Sequence, residues 1–189
     1  MNQARLGLCI CGSFCTFPKI LTELKELCKQ YDVTPILSEI TAATDTRFCK
    51  AADFKEEVER LTGKAAITNI AAAEPVGPKR LLDVIVVAPC TGNTLAKLAA
   101  GVTDSSVTMA CKAHLRNARP VVLGISTNDG LSANGANIGA LLNRKHYYFV
   151  PFSQDDAMQK PNSLVANFAR IHETTQAALQ DRQIQPVLL

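Results

Sequence analysis

The sequence has no tryptophan, and aromatic residues make up only 5% of its 189 positions. Proteins that bind single-stranded nucleic acid stack bases on aromatic side chains, so this composition argues against that class. The net charge is only +3 and no basic run exceeds two residues, which also argues against nucleic acid as a partner. No apolar run reaches the roughly 18 residues that a membrane-spanning helix needs, so we expect no membrane partner.

The seven cysteines are an odd number and lie mostly within apolar segments. This pattern predicts free thiols rather than a disulfide framework, and therefore a protein of the reducing cytoplasm. The first three, Cys9, Cys11 and Cys15, lack the spacing of a zinc site, so no metal is expected. The amino terminus leads directly into a predicted strand and does not resemble a signal peptide.

The most informative stretch of the chain is residues 83–104. Residues 84–88 form an unbroken β-branched and apolar run, which predicts a strand buried on both faces in a parallel sheet. Pro89 cannot donate to a ladder and is expected to end this strand. Good helix formers follow from Thr94, and Gly101 is suited to end that helix.

The turn between this strand and this helix is a candidate binding site, because ligands of open parallel sheets bind at the carboxyl ends of the strands. The hydroxyls of Thr91 and Thr94, the amide of Asn93 and the free N–H groups of the helix end would meet a ligand there. Capping of the helix by Thr91 or Asn93 explains the same residues without a ligand.

Strands and helices alternate along the whole chain, which predicts a single α/β domain over residues 1–189. The expected fold is a doubly wound, Rossmann-like or flavodoxin-like parallel sheet of about six strands with helices on both faces. The strands are predicted at residues 5–11, 33–37, 65–70, 84–88, 120–125 and 147–150. Residues 152–163 are predicted to be an exposed loop. The last helix and the apolar tail, about 162–189, are expected to pack on this domain or on a neighbouring chain.

Two further strand ends carry polar turns, Gly12-Ser13 and Ser126-Thr127-Asn128. Each turn alone is compatible with an ordinary tight turn or cap, but three of them at one sheet edge predict a shared phosphate-bearing ligand. Residues 38–47 form a polar loop after the second strand, and Ser38 is added to the candidate contacts. Arg47 could meet a carboxylate or phosphate, or be a solvated surface residue.

These turns resemble the motifs of a flavoprotein family that includes the FMN-dependent cysteine decarboxylases. The segment Pro89-Cys90-Thr91-Gly92-Asn93-Thr94, with Lys97, Gly101 and Asp104 after it, is similar to the Pro-Ala-Ser-Ala-Asn-Thr motif of that family. Gly12-Ser13 matches its first turn, and Ser126-Thr127-Asn128 stands where the family has Pro-Ala-Met-Asn. The resemblance implies bound FMN and a homo-oligomer.

Five longer segments resemble a narrower group within this family. The segments are residues 44–48, 73–79, 126–129, 149–152 and 160–163. Members of that group work with a Rossmann-type partner subunit in spore-forming bacteria and oxidise a small cyclic dicarboxylate to an aromatic product. Because this chain lacks Gly-x-Gly-x-x-Gly, NAD or NADP would come with the partner subunit. Arg47 and Lys79 are candidates to bind the carboxylates of the substrate.

One departure from the family limits the chemistry. The decarboxylases carry a catalytic histidine shortly before the strand at residues 84–88, and that place falls at or beside Pro75 in this chain. Proline has no side-chain group that can move a proton, so no catalytic residue is assigned. A flavin-dependent decarboxylase or prenyltransferase acting alone, and a non-catalytic nucleotide-binding partner subunit, remain alternatives.

Overall fold

The computed structural model describes residues 3–189 and has one mixed sheet of seven strands with helices packed against it. The strands are β1 (Arg5–Ile10), β2 (Asp32–Leu37), β3 (Val84–Cys90), β4 (Val121–Thr127), β5 (Tyr147–Phe149), β6 (Phe152–Asp156) and β7 (Lys160–Ala166). The helices are α1 (Phe17–Gln30), α2 (Glu39–Ala43), α3 (Ala51–Thr62), α4 (Ile70–Ala73), α5 (Gly92–Ala100), α6 (Ser106–Leu115), α7 (Gly135–Leu142) and α8 (Ile171–Ala178). The predicted doubly wound α/β fold is confirmed.

The first five strands are parallel and lie in the order β2-β1-β3-β4-β5. Every residue of β3 is buried, because helices cover both of its faces, as expected for the centre of a parallel sheet. Helix α1 turns a buried stripe toward the sheet, with Phe17, Ile20, Leu24 and Leu27 at helical spacing,. The strand order places the carboxyl ends of β1, β3 and β4 side by side.

The prediction of a strand at residues 65–70 is wrong. This segment makes only one bridge, between Ile67 and Ile36, and its end turns into α4. The Asn69 side chain accepts a hydrogen bond from the Ala72 N–H at 2.9 Å, which caps that short helix. The alanine-rich sequence explains the difference, because alanine favours helix over strand.

The sequence also predicts that Phe48 shares the apolar stripe of the next helix with Phe54, Val58 and Leu61, and this prediction is wrong for Phe48. The helix begins at Ala51, whose N–H donates to the Asp45 carboxylate at 2.9 Å, so Phe48 lies in the preceding loop and is 51% exposed. Gly63 ends α3 in the left-handed conformation, as glycine can do without strain,.

Residues 152–163 are not a loop, and the last helix does not begin near residue 162. Strands β6 and β7 form a hairpin, and β7 pairs antiparallel with the end of β4. The Asp156 carboxylate accepts hydrogen bonds from the N–H groups of Met158 and Gln159, which closes the hairpin turn. Helix α8 begins only at Ile171, after a 3-10 turn at Phe168–Arg170.

Two strands extend further than the sequence predicts. Strand β3 continues through Pro89 to Cys90, and its pairing with β4 shifts register between Val87 and Cys90. The pairing is interrupted at Pro89 because proline has no N–H group to donate to the neighbouring strand,. Strand β4 includes Ser126 and Thr127, which were expected in a turn, because β7 pairs with both residues.

The apolar tail packs on its own chain. The Val187 carbonyl accepts from the Phe152 N–H, and the Leu189 N–H donates to the Phe152 carbonyl, both at 3.0 Å. The tail therefore extends the hairpin edge of the sheet. This part of its backbone finds its hydrogen-bond partners within the same chain.

All seven cysteines are free thiols. Cys9, Cys11, Cys90 and Cys111 are buried in the core, and burial raises the pKa of Cys11 to about 12. A thiol held protonated in this way is a poor nucleophile. Among residues 3–189, no group of His, Cys, Asp and Glu side chains has the arrangement of a metal site, and no helix has both the length and the apolarity to cross a membrane.

The buried His114 side chain makes stability depend on pH. It is 1% exposed, and neither ring nitrogen makes a normal hydrogen bond, although the backbone at Pro120 lies near. Burial, and then the nearby charge of Arg119, lowers its pKa from 6.5 to about 4. Below about pH 6.5 the unfolded chain binds a proton that the folded chain rejects, so stability falls as the pH drops.

We expect this histidine alone to lower the free energy of unfolding by about 2 kcal/mol between pH 7 and pH 5. Urea unfolding at the two pH values measures the loss, and His114→Phe, which cannot titrate, should reduce it by that amount. The same pH dependence in both proteins would contradict the assignment.

Candidate functional site

A cavity of about 820 Å³ lies at the carboxyl ends of β1, β3 and β4; we call it the strand-end cavity. Its walls come from the segments that follow β1 and β3, from the end of β4, from the loop before α3 and from the β6–β7 hairpin. Cavities of this size hold small molecules and nucleotide cofactors. The position also agrees with the general rule for ligands of open parallel sheets.

Two serine side chains from different strand ends meet inside the strand-end cavity. The Ser13 and Ser126 hydroxyl oxygens are 2.8 Å apart, and both residues are half-buried. The Ser13 carbonyl also accepts from the Thr16 hydroxyl and N–H, which fixes the turn before α1. The pair therefore presents two hydroxyl groups to a ligand from a fixed position.

The amino terminus of α5 is capped by Thr91 and not by Asn93. The Thr91 hydroxyl oxygen accepts from the Thr94 N–H at 3.4 Å, whereas Asn93 is the second residue of the helix and is exposed at the cavity. Capping therefore explains Thr91 but leaves the Asn93 amide without a structural role. Thr94 is buried beneath this turn, with its hydroxyl 3.3 Å from the Cys11 sulfur.

The floor of the strand-end cavity is a hydrogen-bonded group centred on Asp129. Its carboxylate accepts from the Thr127 hydroxyl and from the Asn134 amide, the latter at 2.8 and 2.9 Å. The Thr127 hydrogen bond holds the pKa of Asp129 below its usual value. Gly92 lies against this group so closely that a Cβ there would come within 2.5 Å of the Thr127 hydroxyl oxygen.

Three cationic side chains, Lys19, Arg47 and Lys160, line the strand-end cavity. Lys160 is paired with Asp155 at 2.6 Å across the hairpin. The Arg47 guanidinium lies over the Phe48 ring, 4.9 Å from its centroid. Arg47 and Lys19 are therefore the cations best placed to meet a negatively charged ligand.

Most of the predicted site residues line this cavity. They are Gly12, Ser13, Arg47, Thr91, Asn93, Ser126, Thr127 and Asn128. Ser38 and Thr94 do not line it. Ser38 caps α2 by accepting from the Thr41 N–H at 3.3 Å. Lys79 is exposed in the turn after the 3-10 helix Glu74–Val76 and is not in the cavity wall.

Sequence reasoning missed Lys19 and the hairpin residues that close the cavity. Lys19 is an exposed residue of α1, and a lysine on the polar face of a helix carries no signal of its own. The hairpin was missed because residues 152–163 are rich in polar side chains. The signal that could have found it is Asp156, since aspartate at this place favours a tight turn between two strands.

No histidine lines the cavity within the described residues. Pro75, at the place of the family histidine, belongs to the 3-10 helix Glu74–Val76 and is not in the wall. His114 is buried in α6, and His146 and His172 also lie elsewhere. Proton transfer by an imidazole of this chain therefore finds no support in the cavity.

The Flavoprotein family model matches residues 1–166 of this chain. The chain is 46% identical over 190 aligned positions to the B subunit of dipicolinate synthase from Bacillus subtilis (strain 168), an alignment that covers 100% of this chain and 95% of that protein. The crystal structure of the dipicolinate synthase B subunit from Bacillus halodurans C is 43% identical with a TM-score of 0.91, covering 100% of this chain and 98% of that one.

The FMN-dependent cysteine decarboxylase SpaF is more distant, with 21% identity, a TM-score of 0.69 and coverage of 95% and 98%; it shares the fold. The match to the family model over residues 1–166 and the site at the strand ends define the class: this chain belongs to the flavoprotein family. Within that family it groups with the B subunits of dipicolinate synthase.

Proposed function

We propose that this chain is the flavin-binding B subunit of a dipicolinate synthase, which works with an A subunit to oxidise dihydrodipicolinate to dipicolinate during sporulation. The observation that carries the proposal is the meeting of three strand-end segments in one cavity, with Ser13 and Ser126 only 2.8 Å apart. The 46% identity to a dipicolinate synthase B subunit supports the substrate.

The cavity residues fit FMN as the ligand. The wall offers hydroxyl and amide groups rather than metal ligands, the volume is sufficient,, and the amino end of α5 favours an anion. The residues that would hold FMN are Gly12, Ser13, Thr91, Asn93, Ser126, Thr127 and Asn128. Ser38 and Thr94 are left out because their hydroxyls are committed to α2 and to the α5 turn.

Conversion of a dihydropyridine ring to an aromatic ring removes a hydride and a proton. FMN, or NAD or NADP held by the A subunit, would supply the hydride acceptor. Arg47 and Lys19 would bind the two carboxylates of the substrate, with Lys19 in place of the more remote Lys79. Asp129 is a poor proton acceptor because its carboxylate is engaged in three hydrogen bonds.

The proposal includes a homo-oligomer in the cytoplasm of the mother cell, with the A subunit as protein partner. The rival that this chain is a flavin-dependent decarboxylase or prenyltransferase acting alone is disfavoured by Pro75 and by the lack of a cavity histidine in the described chain. A non-catalytic partner subunit is the second rival, and flavin binding together with an activity assay separates it from the proposal.

Ser13→Ala is the direct test of the cofactor assignment. A hydrogen bond to a charged group contributes about 1.5–3 kcal/mol, so the affinity for FMN should fall about tenfold to a hundredfold. Riboflavin lacks the phosphate and should lose less affinity. Titration of the purified variant with each flavin, followed by quenching of flavin fluorescence, measures both losses.

Ser132→Ala is the matched control, since Ser132 is an exposed serine that does not line the cavity. Its affinity for both flavins should equal that of the unmodified chain. If Ser13→Ala loses the same affinity for FMN and for riboflavin, or loses none, Ser13 does not contact the phosphate.

A further inference from the structure

A second cavity, of about 380 Å³, lies at the carboxyl end of α5, the end away from the strand-end cavity. Its wall is formed by the last turn of α5, the loop that leads to α6, one side of α6 and the turn before β5. None of the residues assigned to the proposed function lies in this wall. The cavity is therefore a separate place at which a ligand could bind.

The charged side chains that line the second cavity all carry the same sign. Lys112, Arg144 and Lys145 line it together with the imidazole of His146, and no aspartate or glutamate of the described chain does. Asp181 lies outside this wall, with its carboxylate 4.0 Å from the His146 ring nitrogen. In contrast, the strand-end cavity contains Asp129 and Asp155 beside its cations. A wall with three positive charges and no carboxylate of its own favours an anion.

One of these cations is held in place by the fold. The Arg144 guanidinium donates to the Leu98 carbonyl at 3.1 Å and to the Ala99 carbonyl at 2.6 Å, so it closes the carboxyl end of α5. The backbone of His146 has a φ of +67°, which residues other than glycine rarely adopt. Such strain next to a cavity supports a functional role for the turn.

The rest of the wall is apolar. Leu98, Val102, Leu115 and Tyr147 supply aliphatic and aromatic surface, and Val102 is 42% exposed. Burial raises the pKa of Tyr147, so its hydroxyl stays neutral. An inorganic ion would leave this apolar surface uncovered, whereas a ligand with a ring or short chain would cover it.

We infer that the second cavity binds a small carboxylate with an apolar body, of the class of aromatic mono- and dicarboxylates. The carboxylate would lie among Lys112, Arg144 and Lys145, and the apolar body would lie against Val102 and Tyr147. The product of the proposed reaction, dipicolinate, belongs to this class. Only the choice of dipicolinate as a probe rests on the proposed function.

The test is calorimetric titration of the purified full-length chain with isophthalate and, separately, with dipicolinate. Because the proposed function places Arg47 against a carboxylate of the substrate, the titrations are made in an Arg47→Gln background. One saturable site is expected there for isophthalate. Lys112→Gln and Lys145→Gln should each weaken it about tenfold, the equivalent of about 1.4 kcal/mol. Both lysines are exposed, so these variants should keep the fold, which circular dichroism checks. The neutral analogue 1,3-benzenedimethanol should not bind.

A matched variant locates the site. In the same Arg47→Gln background, Arg116→Gln removes an exposed charge just after α6 that does not line the cavity. It should not change isophthalate affinity. No saturable binding, equal binding of inorganic phosphate or of the neutral analogue, no effect of the two lysine variants, or the same loss in Arg116→Gln would overturn the inference. These results leave the flavin titrations of Ser13→Ala unaffected, so the two proposals fail separately.

Discussion

Gly92→Ala is expected to remove most flavin binding and to lower the free energy of unfolding by about 1–3 kcal/mol. A Cβ at this position would come within 2.5 Å of the Thr127 hydroxyl oxygen, 2.6 Å of the Asn134 amide nitrogen and 2.8 Å of an Asp129 oxygen. These atoms are hydrogen-bonded to one another, so none can move without breaking the floor of the strand-end cavity.

The matched control is Gly139→Ala in α7. A Cβ there meets nothing within 4 Å, and alanine in a helix interior is favoured over glycine by about 0.5–1 kcal/mol. Urea unfolding and FMN titration of both variants measure the two effects. Full flavin affinity in Gly92→Ala would mean that the close packing of α5 on the Asp129 group is unrelated to the ligand site.

Gly77→Ala should destabilise the protein more than any other glycine substitution considered above, by about 3 kcal/mol or more. The added Cβ would overlap the Ala113 carbonyl oxygen and come within 2.9 Å of its carbon. Both are backbone atoms of α6 and cannot rotate away. The substitution would also disturb the Gly77 carbonyl, which accepts from the Asn117 amide at 2.8 Å.

The measurement is the thermal midpoint, which a loss of 3 kcal/mol should lower by about 6–12 °C in a chain of this size. Gly139→Ala again serves as the control and should not lower the midpoint. A loss of 1 kcal/mol should lower the midpoint of a chain of this size by at least about 2 °C. A Gly77→Ala midpoint closer than this to that of the unmodified chain would show that α6 shifts freely against the 3-10 helix Glu74–Val76.

The parallel part of the sheet can be predicted from the sequence because its strands are buried on both faces. Strand β3 has seven buried residues in a row, and such a run stands out without any knowledge of its partners. The hairpin β6–β7 could not be predicted in this way. Its pairing depends on distant residues such as Ser126, and its outer residues are polar and exposed.

The same distinction applies to the candidate site. Residues that follow buried strands, such as Ser13, Asn93 and Ser126, were found because strand ends converge in this fold. Lys79 and Ser38 were chosen from local sequence, and the structure places both outside the cavity wall. Lys19 was not found, because its position at the cavity depends on how α1 packs rather than on a pattern in the sequence.

The most direct test of the central claim is a reconstituted assay of dipicolinate formation from dihydrodipicolinate. The assay compares the A subunit alone, this chain loaded with FMN alone, and the two together, with NAD or NADP present throughout. The proposal predicts full activity only with both subunits, and reduced activity when Ser13→Ala replaces this chain at limiting FMN. Full activity of the A subunit alone, or a chain that retains no flavin at saturating FMN, would contradict it.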